Sequence, residues 1–482
     1  MLFNSIDFAV FLPIVLTIFW ILNRYAGLVT RNFFLLIASY IFYGWWDYRF
    51  LSLIVLSTLV DYFVGRYMGK VIDAKLRKRL LWLSVSFNLG LLGFFKYYNF
   101  FVDSFVDSFS LFGIQLGQVW TLEILLPVGI SFYTFQTMSY TLDIYRKQLE
   151  PTNDFISFAA YVAFFPQLVA GPIERASHLL PQLMKKGKFT YGQASDGLKL
   201  ILWGLFKKMV IADSLAPIVD DIFSNYSEYS APTLIMGAIF FGFQIYGDFS
   251  GYSDIAIGTS KLFGVELMSN FKFPYFSRNI GEFWRRWHIS LSLWFRDYLY
   301  IPLGGSKNGK TQALRNIFII FLVSGLWHGA NWTFVFWGLF NAILFVPSFL
   351  MGSNRKYADK GTAAFGTPIK DYLQMLLTFI LVTFGWIFFR SSSLQEAFKY
   401  IGGILAKWNY EPYFHPQGYR LIDYFLIIGI FVCYEFLISD NERKPFNFKS
   451  RIVRFTIYTL VVFGILLFYD DGVDRSFIYF QF

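Results

Sequence analysis

The sequence is poor in the residues that form cross-links and metal centres. Cys433 is the only cysteine, so no disulfide can form within the chain, and no zinc or iron–sulfur spacing exists. It lies within an apolar run and is predicted to be a small buried side chain, with lipidation as the alternative. No Gly-x-Ser-x-Gly motif marks a serine nucleophile, and no phosphate-binding glycine loop precedes a helix. These absences argue against a disulfide-stabilised domain, a serine hydrolase and a nucleotide-binding fold.

Charged residues are scarce as well. They make up 15% of the 482 residues, against 56% hydrophobic and 22% aromatic residues, whereas a soluble domain carries about 25% charge. Long apolar runs recur from end to end, which is typical of a polytopic helical membrane protein. The formal charge of +10 falls in short clusters between these runs. That pattern reflects membrane topology rather than nucleic-acid binding.

The apolar runs predict an all-α bundle of about 11–12 membrane-spanning helices, and we expect residues 1–482 to form a single membrane-embedded domain. Asp7 precedes the first run and Arg24 follows it, an order that favours a retained helix over a cleavable signal. The predicted spans are 7–23, 30–46, 48–65, 80–98, 122–145, 197–219, 232–262, 313–330, 332–351, 369–390, 420–438 and 452–469.

The connections suggest an orientation. If the basic connections are cytoplasmic, the N-terminus lies outside. Segment 154–195 contains Pro166 and Pro172 and predicts a re-entrant hairpin instead of a span. On this topology His288 lies on the cytoplasmic side and His328 near the outer end of its helix, so the two histidines should bracket the membrane.

Two of the four histidines each follow a tryptophan, within segments 284–288 and 325–332. Imidazole, with an ordinary pKa of about 6.5, suits proton transfer near neutrality. Glycines on both sides of His328 permit close approach of a helix or ligand, and ionisable groups at membrane depth tend to mark functional paths. A helix-packing histidine with a backbone partner is the alternative.

Residues 284–298, placed on one continuous helical wheel, predict an amphipathic interfacial helix with an aromatic face. His288 falls on the edge of that face, away from Arg285 and Arg286. The residues alone leave open that His288 makes a single hydrogen bond to the bundle.

A polar patch, residues 244–254, interrupts an apolar stretch and predicts a broken helix lining a polar cavity. Structural hydrogen bonding is the alternative for each of its polar side chains.

These segments resemble the membrane-bound O-acyltransferase family and, more narrowly, its bacterial alginate O-acetyltransferase branch. The similarity runs over nearly the whole chain, and the family usually has His or Asn at position 288 and His at position 328. The segments that carry it are 1–13, 166–172, 248–254, 284–288, 297–305 and 325–329.

The resemblance implies transfer of an acyl group, usually acetyl, from a cytoplasmic thioester donor such as acetyl-CoA to a hydroxyl outside. O-acetylation of an exported polysaccharide such as alginate is expected, with no bound cofactor and no metal. We predict that His328 is the general base and that His288 orients the donor. Arg285 and Arg286 are predicted to attract donor phosphates. The other predicted substrate-binding residues are Trp284, Trp287, Asp248, Tyr252, Asp254, Trp327 and Asn331.

The expected location is the bacterial inner membrane. The expected partners are the lipid bilayer, the donor, the glycan and a periplasmic acetyltransferase, without nucleic acid. Two other functions stay open on the sequence. One is D-alanyl transfer to teichoic-acid-type polymers. The other is transport of a glycan or lipid, which intramembrane polar residues also fit, although no inverted repeat is present.

Overall fold

A computed structural model describes residues 1–113, 121–357, 367–409, 411–418, 420–469 and 477–478. These residues form helices and connections and contain no strand, which confirms the all-α prediction. In chain order the α-helices are α1 Ile6–Tyr25, α2 Leu28–Asp47, α3 Leu51–Lys70, α4 Ala74–Leu92, α5 Tyr98–Leu111, α6 Ile130–Tyr145, α7 Phe155–Ala163, α8 Phe165–Leu168, α9 Ala176–Leu183, α10 Tyr191–Phe206, α11 Ser214–Ser224, α12 Ala231–Leu262, α13 Ile280–Arg286, α14 Ile289–Phe295, α15 Lys310–His328, α16 Trp332–Leu350, α17 Ile369–Arg390, α18 Leu394–Ala406, α19 Leu421–Leu437 and α20 Arg451–Leu467. Segments Gly93–Tyr97, Lys207–Asp213 and Arg296–Tyr300 are π-helical.

Within the described residues, five helical segments are long and apolar enough to cross a bilayer: Ile6–Tyr25, Leu28–Lys70, Ala74–Ser110, Trp332–Leu350 and Ile369–Arg390. The protein is therefore a multi-pass membrane protein, as its composition predicts. The count of about 11–12 spans stays a prediction.

The structure can be compared with three local predictions: the helix over 122–145, the segment 154–195 and the burial of Cys433. The helix predicted over 122–145 begins only at Ile130, after Gly129 at a φ of 75°. Segment 154–195 contains the short helices α7, α8 and α9, with Pro166 in the first turn of α8. The burial predicted for Cys433 is wrong, because its side chain is exposed on α19. In a lipid-facing helix an apolar residue can point outward, so an apolar run does not imply burial.

The chain divides into two compact units. Unit 1 comprises residues 1–193 and 260–267, and unit 2 comprises residues 194–259 and 268–482. The single domain expected from the sequence stays a prediction. Unit 1 carries a buried polar cluster on α3, α4 and α6, and unit 2 carries both tryptophan–histidine pairs.

In unit 2, helices α10 and α12 pack closely through glycines. A Cβ on Gly204 would lie 2.5 Å from the carbonyl oxygen of Gly251, and one on Gly258 would lie 2.5 Å from that of Gly197. Only glycine permits so close a backbone approach. Helix α12 is continuous from Ala231 to Leu262, so the prediction of a broken helix is wrong. Here glycine serves helix contact and does not end the helix.

Buried ion pairs accompany this contact. Lys207 Nζ lies 2.7 Å from Asp254 Oδ2, and Lys208 Nζ lies 2.8 Å from Asp248 Oδ1 and 2.7 Å from Asp213 Oδ1. Both lysines belong to the π-helical segment between α10 and α11. The carboxylates of α12 are therefore neutralised within the protein, and α12 needs no break to expose them.

Helices α15 and α16 form the closest hairpin of unit 2. A Cβ on Gly325 would lie 2.3 Å from the carbonyl oxygen of Phe334, and one on Gly338 would lie 2.3 Å from that of Phe321. Helix α15 ends at His328, and the Asn331 side chain caps α16 by accepting from Thr333 N at 2.9 Å. The tight turn fixes His328 at the end of a rigid helix.

Candidate active site

The chain breaks at His288. Helix α13 ends at Arg286 and α14 begins at Ile289, and His288 adopts a left-handed conformation with φ 43° and ψ 56°. The continuous helix predicted over 284–298 is therefore wrong. A positive φ is uncommon for a residue with a Cβ and costs roughly 1–3 kcal/mol, and such strain clusters at functional sites.

Segment 270–272 holds this break from both sides. Lys272 N donates to the carbonyl oxygen of Arg286 at 2.9 Å, and Ile289 N donates to that of Asn270 at 2.9 Å. The Asn270 side chain accepts from Ser290 Oγ at 2.9 Å. Because the groups left over by the broken helix are bonded here, the surrounding structure enforces the His288 conformation.

The break brings the two histidines together. Their ring centroids are 6.3 Å apart, and the exposed fractions of His288 and His328 are 1% and 3%. The prediction that they bracket the membrane is therefore wrong. It failed because α13 and α14 are short helices buried within unit 2, and the charge pattern gives no depth for such segments.

Aromatic rings surround both imidazoles. Phe249 meets His288 edge-on with ring centroids 4.7 Å apart, and Trp327 lies 5.6 Å from it. Trp337 and Phe389 lie 5.1 Å and 5.4 Å from His328. Such an apolar setting disfavours a charged imidazole.

Both imidazoles line one cavity of about 540 Å³ that opens to the surface. Trp284 and Arg285 from α13 also line it, and their role in substrate binding stays a prediction. Its apolar wall consists of Leu291, Phe295, Ile317, Ile320, Phe321, Phe345 and Phe349. The cavity is large enough for a small-molecule ligand.

Cations from four segments line the same cavity. Arg285 is half-buried, whereas Arg296, Lys310 and Arg355 are exposed. Arg296 pairs with Asp297 at 2.6 Å, while Lys310 and Arg355 have no acidic partner in the part of the chain that the structure describes. No carboxylate lines the cavity within those residues. The electrostatics therefore favour an anionic ligand.

Other predicted residues lie outside the lining. Arg286 pairs with Glu282 at 2.7 Å, which occupies the guanidinium assigned to donor phosphates. Trp287 packs against Trp386 with ring centroids 5.0 Å apart, and Trp327 packs on the two imidazoles. Asn331 caps α16.

The polar residues of α12 also lie outside the lining. Asp248 and Asp254 belong to the ion pairs with Lys208 and Lys207. The Tyr252 ring packs against Phe477 with centroids 4.8 Å apart. These residues contact other side chains of the protein, and their predicted role in substrate binding stays a prediction.

Sequence reasoning missed the three exposed cations of the cavity. Lys310 begins α15, and Arg296 and Arg355 lie next to segments assigned to other roles. Their basic type is the only signal in the sequence. The basic residue type alone does not indicate a site. Only the fold shows that these residues, far apart in the chain, lie at the mouth of one cavity.

Burial lowers the pKa of His288 to about 3. A lowered pKa leaves the imidazole neutral at every pH above its new value, so His288 should not titrate across the working range. We therefore expect His288→Asn to slow turnover without moving the pH of half-maximal rate. Asparagine tolerates positive φ, which keeps the backbone break. The check is a pH–rate profile of both proteins, and a displaced profile would contradict a neutral His288.

Residues 130–384 match the membrane-bound O-acyltransferase family. This chain is 41% identical over 409 residues to the probable alginate O-acetylase AlgI of Pseudomonas syringae pv. tomato, covering 84% of this chain and 75% of the relative. It is 36% identical over 434 residues to the peptidoglycan O-acetyltransferase of Helicobacter pylori, covering 84% of this chain and 80% of that protein.

A more distant similarity covers about half of the chain. The teichoic acid D-alanyltransferase of Streptococcus thermophilus is 29% identical over 261 residues, which are 51% of this chain and 62% of that protein. The family match over residues 130–384 includes both histidines and the turn between α15 and α16.

Proposed function

The chain belongs to the membrane-bound O-acyltransferase family, and from this premise we propose that it O-acetylates an exported polysaccharide. The proposed donor is a cytoplasmic thioester such as acetyl-CoA. The chain is an acyltransferase, as the family and its O-acetyltransferase relatives indicate. The proposal adds four points to this: the acyl group is acetyl, the donor is a cytoplasmic thioester, the acceptor is a glycan, and the group crosses the membrane.

The observation that carries the proposal is the pair of imidazoles facing one cation-lined cavity. Acyl transfer to a hydroxyl needs a base near the acceptor and a donor held beside it. His328 and His288, with ring centroids 6.3 Å apart, can contact two reacting groups in one cavity. Exposed cations at its mouth suit the phosphates of a nucleotide thioester.

In the proposed reaction, His328 takes the proton of the acceptor hydroxyl while the hydroxyl oxygen attacks the thioester carbonyl. The C–S bond then breaks, and the proton passes to the departing thiolate, so that His328 returns to its neutral form. His288 is neutral and can donate one hydrogen bond from a ring N–H to the donor's carbonyl oxygen. The aromatic surround excludes water, which would otherwise compete as an acceptor.

The lining favours acetyl over D-alanyl. A D-alanyl group carries an ammonium, which a binding site usually meets with a carboxylate. In the described part of the chain no carboxylate lines the cavity, while four cations do. Comparing acetyl and D-alanyl thioesters of the same carrier with purified protein tests this. Faster transfer of D-alanine would overturn the assignment of the acyl group.

The relatives support the proposed acceptor and location. Those with the higher identities are named for alginate or peptidoglycan O-acetylation, so the proposed acceptor is an exported glycan. We place the protein in the bacterial inner membrane, beside a periplasmic acetyltransferase as partner. Measuring acetyl esters on the exported glycan of a deletion strain tests the acceptor, and an unchanged ester content would contradict it.

Charge reversal at the mouth should separate donor binding from chemistry. We expect Lys310→Glu or Arg355→Glu to raise KM for acetyl-CoA by roughly tenfold, the effect of one lost charge-assisted hydrogen bond, with little change in kcat. Initial rates against acetyl-CoA concentration give both constants. The rates with acetyl-pantetheine, which lacks the phosphates, should not change.

The matched control is Lys307→Glu. Lys307 is exposed three residues before Lys310, on the connection that leads into α15, but does not line the cavity. An equal rise in KM for Lys307→Glu would show a general charge effect. An unchanged KM for both mouth variants would remove the phosphate-binding role.

A transporter function makes the opposite prediction at the histidines. Transport without chemistry should tolerate loss of the His328 imidazole, whereas acyl transfer should not. Reconstituted protein that releases free thiol from acetyl-CoA only when an acceptor glycan is present would support the enzyme. Glycan uptake into the same vesicles without ester formation would support transport.

A further inference from the structure

A polar cluster lies inside unit 1, on helices that carry neither tryptophan–histidine pair. Asp61 of α3 is fully buried, with an exposed fraction of 0%. Its Oδ1 accepts from Ser84 Oγ at 2.5 Å, and its Oδ2 accepts from Asn88 Nδ2 at 2.9 Å, both residues of α4. The carboxylate therefore lies between two candidate membrane-spanning segments.

More oxygens surround these groups. Ser57 Oγ donates to Asn88 Oδ1 at 2.7 Å and lies 3.2 Å from Thr137 Oγ1 of α6. Ser84 Oγ lies 2.9 Å from Thr141 Oγ1, also of α6. Each of these side chains is buried at 0% or 1% exposure. The cluster is thus an all-oxygen cage built from three helices, interrupted only by the Asn88 amide nitrogen.

Among the described residues, no basic side chain balances the charge of Asp61. In the described residues Asp61 forms no ion pair, whereas the buried Asp248 and Asp254 of unit 2 each pair with a lysine. An ionised carboxylate buried at membrane depth without a counter-charge is strongly disfavoured. Hydrogen bonds from a hydroxyl and an amide do not remove its net charge. One further positive charge is needed for neutrality.

We propose that the Asp61 cluster binds one small monovalent cation, Na⁺ or a proton. One carboxylate neutralises one monovalent charge, whereas a divalent ion would leave an excess positive charge. Hydroxyl, carboxylate and amide oxygens are the ligands that hard cations prefer. Occupancy links α3, α4 and α6, so the cation stabilises the helix packing of unit 1.

The other ionisable groups near the cluster have different contacts. The Tyr140 hydroxyl on α6 accepts from Thr152 N at 3.1 Å. The Arg77 guanidinium at the start of α4 donates to the carbonyl oxygens of Met68 and Ile144. Asp143 follows Thr141 on α6 and adds no positive charge. The described ion pairs assign none of these groups to Asp61.

The test is the thermal unfolding midpoint of the purified full chain in detergent. It is measured in NaCl and in choline chloride at equal ionic strength, from mildly acidic to mildly alkaline pH. A saturable rise with Na⁺ identifies Na⁺ as the ligand. A rise as pH falls, independent of Na⁺, identifies the proton. Either dependence supports the proposal if it is lost in Asp61→Asn, whose neutral amide needs no cation.

Thr58→Val is the matched control. Thr58 is a buried residue of the same helix, but its hydroxyl bonds the Ile54 carbonyl of its own helix, so the dependence should persist. If Asp61→Asn does not fold, Ser84→Ala is measured instead. We expect a several-fold shift in the Na⁺ or proton concentration that gives half of the rise in the unfolding midpoint. No dependence in the unsubstituted protein, or a dependence that survives in Asp61→Asn, overturns the proposal.

Discussion

Replacing His328 by alanine should lower the rate of acetyl transfer by about 10²- to 10⁴-fold, the usual contribution of a well-placed general base. His328 is buried at the end of α15 and lines the cavity together with His288. Alanine removes the only group assigned to take the acceptor's proton, while α15 still packs against α16 through Gly325 and Gly338. Acetyl esters formed on an acceptor glycan by purified protein measure the rate.

Two controls separate chemistry from folding. His178→Ala removes a half-exposed imidazole of α9, paired with Glu174 at 2.6 Å, and should retain activity. Added imidazole should partly restore His328→Ala, because a cavity of about 540 Å³ admits a free ring. Normal transfer by His328→Ala would exclude it as the base. A low rate with an altered unfolding midpoint and no rescue would assign it a structural role.

Replacing Lys208 by methionine should destabilise the protein by about 3–5 kcal/mol, the cost of leaving a buried charge without its partner. Lys208 forms ion pairs with both Asp248 and Asp213 inside unit 2, and its own side chain is 5% exposed. Methionine keeps most of the side-chain volume and removes the charge. Denaturant titration of the detergent-solubilised protein measures the loss.

The control is Lys199→Met. Lys199 lies nine residues earlier, on α10, and pairs with Asp196 at 3.7 Å, but both side chains are about one-third exposed. Its loss should cost no more than about 1 kcal/mol. Combining Lys208→Met with Asp248→Asn and Asp213→Asn should recover much of the stability, since a wholly neutral cluster carries no unpaired charge. Equal losses at Lys199 and Lys208 would contradict the ion-pair explanation.

The helical class of the molecule follows from its sequence, because a bilayer requires every backbone group to be bonded within its segment. The ends of α1, α12 and α17 lie close to the apolar runs that predict them. The failures occur where contacts between distant segments decide the outcome. The wheel over 284–298 could not include Asn270, whose backbone and side chain stabilise the break at His288.

The candidate site was predictable in its residue types and not in its geometry. Both histidines and two of their neighbours, Trp284 and Arg285, line the cavity. The polar residues of α12 suggested a cavity wall, but their partners, Lys207 and Lys208, come from another helix and cannot be matched from spacing. No sequence pattern around Lys310 or Arg355 predicts a binding site.

The ion pairs between the π-helical segment and α12 also constrain biosynthesis. Lys207 and Lys208 emerge from the ribosome seconds before the carboxylates of α12, at about 5–20 residues per second. Asp213 can meet Lys208 early, but Lys207 has no carboxylate until Asp254 is made. A lysine that is buried without a counter-charge is strongly disfavoured. Stable packing of the π-helical segment is therefore expected to wait for α12, whose Asp254 supplies the counter-charge for Lys207.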